Sequence, residues 1–309
     1  MTSVVEVASY LPPRSISLTE LFEKLSLDYN ADVYERYFGF QQIRQDPGGN
    51  LAEQLCAAAS RLTWLRGREH LVRYVVYAPT IQSSAPYPGN PVLETCLALG
   101  LERALPFSLS QHACASALLA IDTCGRLLAS DGEPDALALI LTGEKTFTPV
   151  AQVVENSAVM GEGIAAVLVR AGGERDRMLS YASRTLGEFH EGPFLTPELD
   201  AEFQRSYTTT FAEVIHAALA HAGLTADDVT LVLAHNVNRM SWMRVLLQSG
   251  LPKDRLFLDN QRTLGHCFGA DPFLSLQAAT AAGRLREGDY YVMTASGLGS
   301  TTAAMVFQH

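Results

Sequence analysis

The sequence predicts an α/β protein made of two similar halves that face each other. Three observations predict it. Short β-branched apolar runs, of the kind buried on both faces of a parallel sheet, alternate with helical patterns. An order of helix, strand, helix, strand, small-residue turn, long helix and closing strand occurs twice. The two copies lie about 150 residues apart, too far for a solenoid repeat and suited to two halves about a pseudo-two-fold axis.

Before the first copy, residues 16–30 read as a helix opening near Ser17, and the aromatic-rich segment 34–40 reads as a loop packed on the surface of the core, with a substrate entrance as the alternative. Residues 51–66 carry apolar side chains at helical spacing, and 74–78 (YVVYA) is a continuous apolar run expected as a buried strand. A turn at 86–91 leads to a helix ending near Gly100. A strand at 107–109 runs into the small-residue turn around Cys114, and a long helix ending near 125–127 follows. A strand at 136–141, a long loop or loop-plus-helix at 143–160 and a strand at 163–169 complete the copy. Loops of that length inside compact α/β proteins are usually functional or interfacial.

The second copy runs through a helix at 211–222, a strand at 229–234, a helix at 242–248 and a strand at 256–258. It then has the turn 265–270 (GHCFGA), a long helix ending near 283–285 and a last strand over 303–307. The expected division is residues 1–170, carrying a nucleophile, and 171–309, carrying two histidines.

Composition sets the class. The chain has 309 residues, 48% of them hydrophobic and 18% charged, as in ordinary globular proteins. A net charge of −10 without a lysine or arginine cluster argues against nucleic acid or an anionic membrane as the main partner. The start lacks the pattern of a signal peptide, and no uninterrupted apolar run approaches bilayer-spanning length. The cysteines, Cys56, Cys96, Cys114, Cys124 and Cys267, are odd in number and lack metal-ligand spacing. The expectation is a reduced cytoplasmic protein with neither zinc nor structural disulfides.

Cys114 is the centre of the chemical reading. The strand-to-helix turn 107–120 (FSLSQHACASALLA) places it by the first turn of a helix, where free N–H groups and the helix dipole favour an anion. A thiol there should ionise more easily than a free one, although a buried packing cysteine has the same sequence signature. If the halves are related, His266 occupies the position corresponding to Cys114 on the facing turn of the second copy. His235 follows the buried strand at its carboxyl end, where α/β folds place ligands. One thiolate with two imidazoles suits thioester chemistry. His112 reads as a packing or gating residue. His70, His190, His216, His221 and His309 read as surface or satisfied histidines, and Cys267 as small packing.

These residues carry a resemblance that covers essentially the whole chain. Residues 113–116 (ACAS) resemble the nucleophile motif of the β-ketoacyl-carrier-protein synthase III branch of the thiolase superfamily, and 235–239 (HNVNR) resemble its H-Q-A-N-x-R motif. Residues 161–166 (GEGIAA) and 295–301 (ASGLGST) resemble two of its glycine-rich segments. The resemblance implies a thiolase-like fold, two pseudo-symmetric α/β halves packed as a layered αβαβα unit. It implies an acyl-Cys114 intermediate, an oxyanion hole from the N–H groups of Cys114 and Leu298, and His235 and His266 on the carbonyl of a second substrate. The third catalytic position is His266, in G-H-x-x-G-A, where this branch usually has asparagine.

The segment that holds coenzyme A in the branch appears here as 34–39 (YERYFG), without its tryptophan and with Arg36 displaced by one position. That implies a donor bound to an acyl carrier protein more than free acyl-coenzyme A. Arg36, Tyr37, Asn238 and Phe268 are the expected substrate contacts. No cofactor and no metal is expected, and a homodimer is. The leading function is decarboxylative Claisen condensation with a malonyl-type carrier thioester in fatty-acid, polyketide-type or specialised metabolism. The alternatives are acyl transfer to a hydroxyl, amine or carrier thiol, and a non-catalytic partner subunit of a ketosynthase.

Overall fold

The computed structural model describes residues 2–82, 85, 88–146 and 152–309. The strands that matter are β1 (Thr2–Tyr10), β2 (Val72–Ala78), β3 (Leu105–Ser108), β4 (Leu137–Thr142) and β5 (Ile164–Ala171) in the first half. Those of the second half are β6 (Arg177–Thr185), β7 (Val229–Leu233), β8 (Leu256–Phe257), β9 (Tyr290–Gly297) and β10 (Thr301–Gln308). They form one 10-stranded sheet in the order 8-7-9-10-6-1-5-4-2-3. Read outward from the seam, the halves run 1-5-4-2-3 and 6-10-9-7-8, the same path twice. They meet at the antiparallel pair Ser3 and Arg177.

The side chains show how the layers stack. Strand residues alternate faces, so Val76, Ala138, Ile140 and Val167 join one core cluster while Val75, Tyr77, Leu139 and Leu168 join another. In the second half Leu231, Leu233, Tyr291 and Met293 share the cluster of Val76, and Val232 and Val292 belong to a third. That shared middle cluster also holds the buried faces of α3 (Ser116–Asp131) and α6 (Asp271–Ala281). Helices α1 (Leu51–Ala59) and α2 (Pro91–Ala98) cover the outer face of the first half, and α4 (Pro197–Ala222) and α5 (Arg239–Ser249) that of the second. The result is the expected five-layer αβαβα arrangement.

Several local expectations differ. The segment expected as a surface loop at 34–40 holds a π-turn, Tyr34–Phe38, and plants Tyr34 and Phe40 in the core of the second half. The helix expected over 51–66 stops at Ala59. The helix after Cys114 passes Gly125 and runs to Asp131, because Gly125 serves close packing: a Cβ there would meet the Thr2 side chain. In the long segment 143–160, the described residues form a small hairpin, 153–154 against 158–159. Parts of that segment and of the 86–91 turn lie outside the described residues. By length and composition alone Ala113–Asp131 is long and apolar enough to cross a membrane, with Asp122 and Arg126 interrupting its apolar run. Its apolar residues are spent on the middle layer between the two half-sheets.

Candidate active site

Both middle-layer helices begin with a one-turn 3-10 segment, Ala113–Ala115 before α3 and Phe268–Ala270 before α6. Each opens on a non-glycine residue with positive φ, Ala113 at 46° and Phe268 at 56°, a conformation found at functional sites when surrounding structure enforces it. Aligned on these residues, Cys114 corresponds to Gly269. His266 therefore lies three positions ahead of the residue that matches Cys114. Gly269 is where the turns touch: a Cβ there would sit 2.6 Å from Thr142 Oγ1 and 3.2 Å from the Cys114 carbonyl oxygen.

The turns bring the nucleophile candidate and His266 together. Cys114 Sγ lies 3.5 Å from His266 Nε2, and Thr80 Oγ1 donates to the same sulfur at 3.3 Å. Behind His266, its Nδ1 bonds the carboxylate of Asp271, the first residue of α6. Asp271 is fully buried and also accepts from Asn236 N at 2.6 Å, Cys267 N at 2.8 Å and Asn236 Nδ2 at 3.1 Å. One carboxylate thus fastens the 235–239 segment to the 265–270 turn.

The histidines titrate in opposite directions. Burial works against a charge on His266, but Asp271 and Cys114 outweigh it and raise its pKa. Burial, and then the charge of His266, push His235 well below its ordinary value. His235 Nε2 lies 3.3 Å from the Tyr207 hydroxyl, while its Nδ1 has no hydrogen-bond partner among the described residues. Phe211, Trp242 and His266 pack around its ring.

A cavity of about 390 Å³ contains Cys114, His235, His266, Thr80, Tyr207, Phe268 and Leu298 among its lining residues. Its walls are mainly apolar, including Ile81, Met160, Phe194 and Phe203. Leu298 follows Gly297, which packs against the backbone of His112 and the Cβ of Ala113. The expected substrate contacts divide. Phe268 lines this cavity, whereas Arg36 lines a separate cleft of about 770 Å³ with Arg239, Lys253 and Arg262. Tyr37 is half exposed beside Arg36 on the π-turn. Asn238 caps α5 through Met240 N and donates to Asn156 O, so its side chain serves the local fold.

His112 is half-buried, 3.4 Å from the Tyr181 hydroxyl. His309 is buried and paired with Asp176, and Cys267 packs in the middle layer. No sequence motif above includes Asp271, Thr80, Glu144 or Tyr207. A signal existed for Asp271, an aspartate five residues after His266 at the head of a helical pattern. None existed for the others, which reach the site from distant segments. Glu144 is fully buried, and its carboxylate accepts from Thr80 N and Ile81 N. Burial pushes its pKa up to about 7 against the pull of those amides, of the Thr80 hydroxyl and of His266.

The family model for the carboxyl-terminal part of 3-oxoacyl-[acyl-carrier-protein] synthase III matches residues 219–309. The β-ketoacyl-[acyl-carrier-protein] synthase III of Sphingopyxis alaskensis is 24% identical over 97% of this chain and 96% of its own length. The structure of 3-oxoacyl-[acyl-carrier-protein] synthase III from Aquifex aeolicus superposes with a TM-score of 0.84 at 19% identity, covering 100% of both chains. That of ChlB3, an acyltransferase, gives 0.86 at 19% identity over 99% of this chain and 97% of its own. The chain is thus similar over its full length to β-ketoacyl-[acyl-carrier-protein] synthase III enzymes, shares their fold, and over residues 219–309 matches the model of their carboxyl-terminal part.

Proposed function

We propose that Cys114 takes an acyl group from a carrier-bound thioester and that a malonyl-type thioester discharges it by decarboxylative condensation. The observation that carries this reading is the line Cys114, His266, Asp271 opening on a cavity that also holds His235. The Cys114 thiolate attacks the donor carbonyl, the carbon–sulfur bond to the carrier breaks, and the departing thiolate takes up a proton. The N–H groups of Cys114 and Leu298 would bind the tetrahedral oxyanion.

For the second substrate, loss of carbon dioxide leaves an enolate. The charged His266 and the neutral His235 would each direct an Nε2–H at its oxygen. A buried donor left unpaired costs more than an acceptor left unpaired. His235, with nothing at Nδ1, therefore favours the tautomer that places its proton on Nε2, facing the cavity. The enolate carbon attacks the acyl carbonyl and Cys114 leaves as thiolate.

A second reading is favoured by Asp271. If His266 gives its proton to the departing carrier thiolate, it becomes a neutral base steadied by a carboxylate, suited to deprotonating a hydroxyl, amine or thiol acceptor. Acyl donors supplied with a malonyl carrier thioester separate the two. Release of carbon dioxide with a ketoacyl product supports condensation, and acyl transfer without carbon dioxide supports the second reading. A Cys114 that gains no acyl mass from any donor would overturn both.

The cleft of Arg36, Arg239, Lys253 and Arg262 is the surface we assign to an acidic carrier or its phosphate. A homodimer is proposed through β3, whose outer edge pairs with no strand among the described residues, at the end of the sheet beside the exposed Leu93, Leu97 and Leu105. Leu105→Glu should then yield monomers in sedimentation. Five free cysteines fit a reducing cytoplasm.

A further inference from the structure

We infer that the Thr80 hydroxyl is a second hydrogen-bond donor to the Cys114 thiolate, alongside His266, and that Glu144 is the buried residue that positions it. This rests on Cys114 being the nucleophile and names two further members of the same machinery.

At Ala78 the chain leaves β2, and the segment after it loses the ladder partners of the sheet. Backbone N–H groups in such a stretch must find other acceptors. Glu144 supplies them: Thr80 N donates to Oε2 at 2.8 Å and Ile81 N to Oε1 at 2.9 Å. The carboxylate itself is fixed. It follows β4 by one residue, after Gly143 with φ 103°, where a Cβ would collide with the Gly163 backbone. Two bonds to successive amides fix the orientation of the Thr80 peptide, and so the direction of its side chain. That side chain is half-buried, lines the cavity, and donates to Cys114 Sγ at 3.3 Å.

The two donors on the sulfur differ in kind. His266 can give its proton away. An aliphatic hydroxyl cannot do so near neutral pH, so Thr80 stabilises a charge on Cys114 whichever protonation state His266 is in. It is a catalytic residue in the sense that it touches the reacting atom. Glu144 acts only through it. A glutamine at 144 would keep the volume but offer one oxygen to two amides and turn its NH₂ toward the other, so the segment would shift.

The test is alkylation of Cys114 by iodoacetamide in the full-length chain, mapped by peptide mass between pH 5 and 9. Thr80→Val keeps the shape and removes the donor. It should slow alkylation at pH 7 roughly tenfold and move the pH profile about one unit to the alkaline side. Thr80→Ser should restore the rate to within about twofold, and Glu144→Gln should slow it about threefold with the same direction of shift. A Thr80→Val profile matching the parent overturns the proposal. So does a loss that serine does not rescue, since that would be packing. An unchanged Glu144→Gln profile overturns the part assigned to Glu144. If Cys114 in the parent chain resists alkylation and acylation across the whole range, the nucleophile reading fails and takes this inference with it.

Discussion

His235 and His266 line the same cavity, nearly equally buried, yet the fold treats them differently. His266 has a carboxylate at its back and a sulfur at its front, and the charged ring is held in place at both nitrogens. His235 has a phenol at Nε2, no hydrogen-bond partner at Nδ1 among the described residues and aromatic rings around it, and burial keeps it neutral. Ring type and burial therefore do not set the role of a histidine; the partner of its second nitrogen does. The proposed division of labour, His266 on the sulfur and His235 on the incoming substrate, rests on that difference.

Breaking the common partner should have the largest effect. Cys114→Ala should abolish the acyl-enzyme, with no mass added by any donor that loads the parent. Asp271→Asn would leave His266 in place without the carboxylate that holds its charge, and should slow loading by about 10²- to 10⁴-fold in a single-turnover mass assay. His235→Gln should leave loading within a few-fold and slow discharge to the second substrate by about 10²-fold. Equal damage to both half-reactions would erase the contrast between the rings.

The pH dependence of folding sharpens the same comparison. The folded pKa of His266 is raised, so its stabilising contribution is complete below its unfolded value, near 6.5, and is lost as pH rises through the folded value. The folded pKa of His235 is depressed. Below about 6.5 the unfolded chain takes up a proton there that the folded chain refuses, and stability falls with pH. His235→Gln should flatten the acid limb of a urea-midpoint curve, by up to about 1.4 kcal/mol per pH unit, and Asp271→Asn the alkaline limb. The smallest effect belongs to Asn238→Ala, which should cost about 1 kcal/mol as a lost helix cap and leave Cys114 loading unchanged.

Motifs gave most of this site away. ACAS and GHCFGA mark turns where a strand path meets a helix, and such turns need small residues because the two halves touch there, as Gly269 does against Cys114. Arg36 and Asn238 also sat in recognisable segments, but neither lines the cavity, because the π-turn carries one to a different cleft and the helix start uses the other as a cap. The 34–40 segment looked like a surface loop because its aromatics follow no regular period. Only packing shows that Tyr34 and Phe40 fill the second half's core.

By itself the sequence determined the repeated order of elements, the small-residue turns, and the presence of one sulfur and two imidazoles at the ends of strands. Periodicity and turn chemistry are local, and a chain carries them in plain view. Tertiary structure alone decided which ring Asp271 would charge, which cleft Arg36 would enter, and that Thr80 would reach Cys114, Glu144 the Thr80 segment and Tyr207 the His235 ring. Those outcomes depend on distances between segments far apart in the chain, fixed by how two half-sheets close on a shared pair of helices, and no local pattern encodes them.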